Sequence, residues 1–222
     1  MKCKYCGKNF TSERTLAVHM CPKKQRFNEK DLSHVRMGLR AFQMFYEMST
    51  NATKIKTFEE FANSQYYTAF VKFGRKLAKE DLLYPEKYTE WCIKNSIKLK
   101  NWSSDSNYNT YLREYVKKEP AQKAMERTIL TMEEWAKEHN TNLQEYFRQV
   151  TTPLAVYHIR GGKISPWMMF LTESGQELWT KFTGEQIDMI KEIADPVFWR
   201  DLFRKNPSEV EIVQDIGEQV GL

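Results

Sequence analysis

Glycine, proline and histidine are scarce in this chain of 222 residues, which contains 9 glycines, 7 prolines and 4 histidines. So few helix breakers, together with abundant Glu, Lys, Leu, Met and Ala, favour helices over sheets. Hydrophobic residues make up 41% of the chain and aromatic residues 14%, which excludes a disordered polymer. The composition therefore predicts a folded and mainly helical protein.

Long hydrophobic runs are also missing. The longest, from about Trp167 to Leu171, is far too short to cross a bilayer, and the N-terminus has no apolar signal region. Three of the four cysteines lie within the first 21 residues, so Cys92 has no partner left for a disulfide. We therefore expect a cytoplasmic protein with no membrane partner, in which Cys92 is a buried apolar residue.

Catalytic motifs are absent from the sequence. It contains no H-E-x-x-H, no G-x-x-x-x-G-K-[ST] and no G-x-S-x-G. His34, His139 and His158 lie far apart, and the carboxylates fall on predicted helical faces, where they usually meet solvent. The sequence predicts that the protein is not an enzyme and has no small-molecule substrate. A nuclease with a carboxylate cleft is the catalytic alternative.

The most specific pattern present is C-x2-C-x12-H-x-C, formed by Cys3, Cys6, His19 and Cys21. Two thiols two residues apart, followed twelve residues later by a histidine, predict a Zn²⁺ ion held between a hairpin and a helix. Four protein ligands would close the site and leave no position for a catalytic water.

The short spacing between the last two ligands restricts the helix. Residues two apart on a regular helix point about 200° away from each other, so His19 and Cys21 can share an ion only if the helix ends near His19. Pro22 favours such an end, because the residue before a proline is pushed out of helical geometry. His34 is the alternative fourth ligand.

Up to its histidine, the N-terminal segment resembles the C2H2 zinc-finger family. The resemblance rests on Cys3, Cys6, Phe10, Leu16 and His19, with Phe10 and Leu16 in the two core positions of such a finger. It ends at the last ligand, which is a cysteine after one residue instead of a histidine after three to five. The resemblance implies a small ββα finger.

The family resemblance also indicates which residues would face DNA bases. These positions are occupied by Ser12, Thr15 and Val18, with Arg14 in the auxiliary position between them. None of the three makes the bidentate contact with a base edge that Arg, Lys, Asn or Gln can make. We therefore do not expect sequence-specific recognition of DNA.

Positive charge is concentrated at the N-terminus. Residues 1–30 contain eight lysines and arginines against two glutamates, whereas the whole chain has a net charge of only +5. Such asymmetry suggests an end that faces a polyanion. We expect phosphate contacts from a basic set that comprises Lys8, Arg14, Lys23, Lys24 and Arg26.

The rest of the chain has a helical pattern. We predict a mainly α fold with a zinc finger over residues 1–24, a basic connector over about 22–30 and an irregular all-α domain over 25–222. Thr57 and Glu60 form a capping box. Further helices are expected to begin near Pro85, Ser106, Pro120, Asn142, Pro153, Pro166, Thr183, Pro196 and Pro207. The 44-residue spacing of Trp91, Trp135 and Trp179 leaves a helical repeat as an alternative to an irregular bundle.

Over most of its length the chain resembles uncharacterised zinc-finger proteins of large tailed phages, which implies a location in the host cytoplasm. The finger, the basic connector and the segments QYYTAFVKFGRKL and KISPW carry this resemblance. We expect a non-catalytic accessory protein whose finger contacts DNA or RNA without sequence preference and whose helical domain binds a protein partner. In the alternative, a polymerase-associated or virion-assembly adaptor, the finger is only a docking element.

Overall fold

The computed structural model describes residues 1–50 and 54–222, of which the greater part is helical. The α-helices are α1 (Glu13–Val18), α2 (Pro22–Asn28), α3 (Ser33–Thr50), α4 (Phe58–Asn63), α5 (Tyr67–Lys79), α6 (Pro85–Lys94), α7 (Asp105–Val116), α8 (Ala121–His139), α9 (Tyr146–Gln149), α10 (Thr152–Arg160), α11 (Pro166–Leu171), α12 (Glu173–Thr180), α13 (Gly184–Ile190), α14 (Pro196–Lys205) and α15 (Pro207–Gln219). Short 3₁₀ helices cover Leu99–Asn101 and Leu143–Glu145.

The predicted ββα finger is not present, and this expectation was wrong. No β-strand forms in the described ranges, where the expected hairpin is reduced to one isolated bridge between Lys2 and Asn9. The chain turns back at once, because the Gly7 N–H bonds to the Cys3 carbonyl and the Cys3 N–H to the Lys8 carbonyl, both at 2.9 Å. That tight turn leaves too few residues on either side for a ladder, so the fold is all-α.

The chain divides into two compact units, residues 1–108 and 109–222. The predicted domain boundary near residue 25 lies inside the first unit and stays a prediction.

The first unit is organised around the crossing of α3 and α5. The helices meet at Gly38 and Gly74, where a Cβ added to Gly74 would lie 2.0 Å from the backbone oxygen of His34. Aromatic side chains fill the surrounding core. Phe61, Phe70 and Phe73 are each at most 1% exposed and belong to this core.

The second unit is built around the long helix α8. Its first free backbone N–H, on Ala121, donates to a carboxylate oxygen of Glu209 on α15 at 2.6 Å. This carboxylate does the capping that Pro120 cannot do, since proline has no side-chain acceptor. Arg127 and Glu119 form a bidentate ion pair in the interior, both less than 10% exposed. This buried ion pair connects Glu119, which precedes α8, to Arg127 in the second turn of the helix.

Candidate metal centre

The two N-terminal thiols are brought together by the turn over residues 3–8. Gly7 adopts a φ of +75°, a left-handed conformation that glycine reaches without strain. Two hydrogen bonds close the base of the loop. The N-terminal amine donates to the Phe10 carbonyl at 2.8 Å, and the Phe10 N–H donates to the Met1 carbonyl at 2.7 Å. Cys3 and Cys6 therefore sit on a short turn that is tied at both ends.

The third candidate ligand lies where α1 ends. The Ser12 hydroxyl accepts from the Thr15 N–H and caps the start of this helix. At the other end, His19 has left helical geometry, with φ −63° and ψ 121°. Cys21 is extended, with φ −104° and ψ 161°, directly before Pro22. The structure thus confirms that the helix ends at His19, as the spacing of the ligands requires.

The four predicted ligands converge. The thiol sulfurs of Cys3, Cys6 and Cys21 and a ring nitrogen of His19 all lie within 4.8 Å of one another, and Cys6 Sγ is 3.3 Å from His19 Nε2. Ligand atoms around a tetrahedral ion with thiolate and imidazole bonds are about 3.5–3.8 Å apart. In number, type and spacing these residues could hold a metal ion. His34, the alternative ligand, is not part of the cluster.

The ligands differ in their exposure to solvent. Cys3 and Cys21 are buried, His19 is half-buried against the ring of Phe10, and Cys6 is exposed. The pKa of the Cys3 thiol is lowered, chiefly because the backbone N–H of Cys6 donates to it. The N–H that Lys8 donates to the Cys6 thiol lowers the pKa of that thiol, but partial desolvation and the neighbouring Cys3 and Cys21 thiols together outweigh it, so that the pKa is raised.

Cys21 has a second role as the N-cap of α2. Its sulfur accepts from the Lys24 N–H at 3.4 Å, and Pro22 occupies the first position of the helix. The Lys24 ammonium turns back to donate to the carbonyls of Ala17 and His19, at 3.2 and 3.0 Å. A cation near the last carbonyls of α1 complements the helix dipole. Lys24 therefore ties the two helices that flank the site.

The segment expected to be a polar connector is this helix α2, and it packs against other elements of the first unit. Phe27 lies 5.2 Å from the ring of Tyr5 on the ligand turn and 5.3 Å from the ring of Phe58 on α4. Arg26 donates to the Ala62 carbonyl at 2.7 Å and lies 4.4 Å from the ring of Tyr67. These contacts join the candidate metal centre to α4 and α5.

The predicted basic set divides into two groups. Lys24 and Arg26 are half-buried and engaged in the contacts just described. Lys8, Arg14 and Lys23 are exposed. Within the described ranges, the side chains of Arg14 and Lys23 make no hydrogen bond or ion pair, and Lys8 lies 5.7 Å from the ring of Phe10. Of this basic set, Arg14 and Lys23 could meet a ligand without breaking a polar contact, and Lys8 would give up only its contact with the Phe10 ring.

The residues in the base-facing positions have local roles. Ser12 caps α1, and the Thr15 hydroxyl donates to the Ser12 carbonyl at 2.9 Å. Val18 is 77% exposed, and Met20, which follows it on the same surface segment, is 58% exposed. The family resemblance placed Val18 on an exposed face of α1, whereas the exposure of Met20 beyond the end of this helix was not anticipated.

Trp102, Cys92 and His139 have structural surroundings. Trp102 is 1% exposed, and its indole N–H donates to the Ile97 carbonyl at 2.9 Å, so it belongs to the core. Cys92 is fully buried, as expected, and burial raises the pKa of its thiol to about 12. Such a thiol is not a nucleophile near neutral pH. His139 is exposed at the end of α8, stacked on Trp135.

The chain matches no protein-family model, no curated protein and no solved structure. The resemblance to phage zinc-finger proteins therefore has no support beyond the residues that suggested it. None of the helices in the described ranges has the length and apolar character needed to cross a membrane.

Proposed function

We propose that the metal centre binds Zn²⁺ and has a structural role. Three cysteines and one histidine form a ligand set that zinc prefers, and four protein ligands fill its tetrahedral coordination. When bound, the ion would offset most of the negative charge of the thiolates and link the turn, the end of α1 and the start of α2. Phe10, packed against His19, would orient the imidazole.

On this basis we propose a non-catalytic accessory protein that contacts DNA or RNA without sequence preference. The contact is made through the candidate metal centre and the exposed cations around it, which together we call the metal module. The observation that carries this proposal is the exposure of Lys8, Arg14 and Lys23 around the metal ligands. Their charge exceeds what compensation of the site needs, since three thiolates and one Zn²⁺ sum to about −1. Exposed cations of this kind contact phosphates but carry no sequence information.

The test is a salt titration of binding to single- and double-stranded DNA and RNA. In a variant with Lys8, Arg14 and Lys23 changed to Gln, we expect weaker binding and a log Kd–log[salt] slope that is smaller by about one for each lost contact. The matched control changes three exposed lysines of the second unit, Lys123, Lys137 and Lys205, to Gln. Equal slopes for the two variants would refute the proposal.

A protein adaptor is the second candidate, favoured by the exposed pair Val18 and Met20. Exposed apolar side chains surrounded by polar ones are typical of protein-binding surfaces. In this function the helical part binds a protein as well, and the metal module only docks. Val18→Ser with Met20→Ser would then abolish capture of one co-purifying protein, whereas the Gln variant of the three cations would retain it.

A further inference from the structure

The second unit contains a cleft of about 620 Å³ that the proposed function does not use. One wall is α7 and the turn that follows it, and the other comes from the corner between α13 and α14. The lining residues are Thr110, Arg113, Glu114, Lys117, Lys118, Glu192 and Phe198. Its volume lies within the range of small-ligand sites, about 300–1,000 Å³.

Sequence spacing explains why one wall is polar and basic. Thr110, Arg113 and Lys117 follow one another at intervals of three and four residues, which places them on one face of α7 and its continuation. The three cations of the cleft, Arg113, Lys117 and Lys118, face only two carboxylates. A ligand in the cleft therefore meets a positive and hydrogen-bonding wall.

Two of these cations, Arg113 and Lys117, are held in position by their neighbours. One terminal nitrogen of Arg113 donates to Glu192 at 2.6 Å, and the other donates to the Thr110 hydroxyl at 3.1 Å. The Lys117 ammonium lies 4.7 Å from the centre of the Phe198 ring, a cation–π contact. These contacts use two of the five N–H groups of the guanidinium and leave the Lys117 hydrogens able to bond an anion.

We propose that this cleft binds a phosphate monoester that carries an aromatic ring, the chemistry of a mononucleotide. The phosphoryl oxygens accept from Arg113 and Lys117, because a planar guanidinium and an ammonium are the side chains that bind phosphate best. Phe198, which is half-buried, gives the aromatic part of the ligand an apolar wall. This site goes beyond the proposed function, which assigns phosphate contacts to the metal module alone.

Glu192 makes the proposal sharply testable. Its carboxylate competes with a phosphate for Arg113 and repels the anion, so its removal should strengthen binding. In calorimetric titrations of the full chain with AMP, we expect Glu192→Gln to tighten binding about threefold and Lys117→Gln to weaken it about tenfold. A gain of affinity on removing this charge is not the result of a damaged fold. Lys123→Gln, an exposed lysine outside the cleft, is the matched control.

Titrations with three different ligands distinguish recognition of the phosphate from recognition of the aromatic ring. Inorganic phosphate should bind more weakly than AMP, and adenosine should not bind. Amide chemical shifts should move at Lys117 and Phe198 on titration with AMP. Equal binding of adenosine and AMP, shifts confined to other residues, or unchanged AMP affinity in both cleft variants would each overturn the proposal.

The proposal for the cleft and the proposal for the metal module can be refuted separately. If the Gln variant of Lys8, Arg14 and Lys23 retains full AMP affinity, the AMP site is independent of the module. If AMP binding falls with that variant and not with Lys117→Gln, the cleft proposal is wrong. The salt slope with nucleic acid then decides the function of the module by itself.

Discussion

Gly38 and Gly74 let α3 and α5 approach more closely than any side chain would permit. A Cβ on Gly38 would lie 2.7 Å from the Phe70 carbonyl oxygen, and one on Gly74 would lie 2.7 Å from the Gly38 nitrogen. The obstacles are backbone atoms, which cannot rotate away as a side chain can. At these two residues the absence of a side chain determines how the first unit packs.

Gly74→Ala should therefore destabilise the first unit by about 3 kcal/mol, because α3 and α5 must separate to accept the methyl group. Chemical denaturation measures the loss. The matched control is Gly184→Ala at the start of α13, where an added Cβ meets nothing within 4 Å. There we expect unchanged or slightly higher stability, by up to about 1 kcal/mol. Equal effects of the two substitutions would show that the crossing is not tight.

At the scale of elements, helix ends were predictable where a familiar capping residue marks them. The capping box of Thr57 and Glu60 is confirmed, and Thr183 with Gln186 forms a second one at the predicted start of α13. Helix α2 was missed because its cap is Cys21, and a thiol is not among the residues that usually cap helices. The basic composition of Pro22–Asn28 then made it look like a linker.

The four metal ligands were predictable for a different reason. Their spacing reflects the chemistry of the ion and is legible without knowledge of the fold. The predicted ββ hairpin came both from that spacing and from the family resemblance, and the turn at Gly7 shows that the ligands converge without a sheet. Ligand positions were thus more predictable than the backbone that carries them.

Substitutions of Cys21 can separate its roles as ligand and cap. Cys21→Ser and Cys21→Ala should weaken zinc binding to a similar degree, since neither offers a thiolate. In the metal-free protein, serine keeps an acceptor for the Lys24 N–H and alanine does not. We expect the opening free energy of the Lys24 amide to be about 1 kcal/mol larger with serine, as measured by hydrogen exchange. Equal exchange in the two variants would show that Cys21 does not cap α2. Unchanged zinc affinity would show that Cys21 is not a metal ligand.

At the scale of the whole molecule, the sequence indicated helices but not their arrangement. Two compact units arise from contacts such as the Gly38–Gly74 crossing and the capping of α8 by Glu209, which lies 88 residues from Ala121. No periodic pattern links residues so far apart, and the 44-residue tryptophan spacing does not describe either contact. The first unit contains the candidate metal ligands and the second contains His158. The first should therefore respond to removal of metal and the second to acid.

The second unit should lose stability in mild acid through His158. Its ring Nδ1 lies 2.7 Å from the hydroxyl of Tyr146, which is fully buried. Burial raises the pKa of Tyr146, so the phenol keeps its proton and shares a neutral hydrogen bond with the His158 ring. Burial and the nearby Lys163 lower the pKa of His158 to about 4, and Glu138 only partly opposes them.

The sign of the effect follows from proton binding. An unfolded histidine has a pKa of about 6.5, so between pH 6.5 and 4 the unfolded chain binds more protons than the folded one. Stability is therefore complete above pH 6.5 and declines as the pH falls towards 4, by about 2 kcal/mol at pH 5. Hydrogen exchange of amides in α8 and α10 at pH 7 and pH 5 should report this loss. His158→Gln, which keeps an acceptor for Tyr146, should remove most of it, and His139→Gln at the exposed end of α8 should not. An identical decline in the wild type and in His158→Gln would mean that other groups cause the acid sensitivity of this unit.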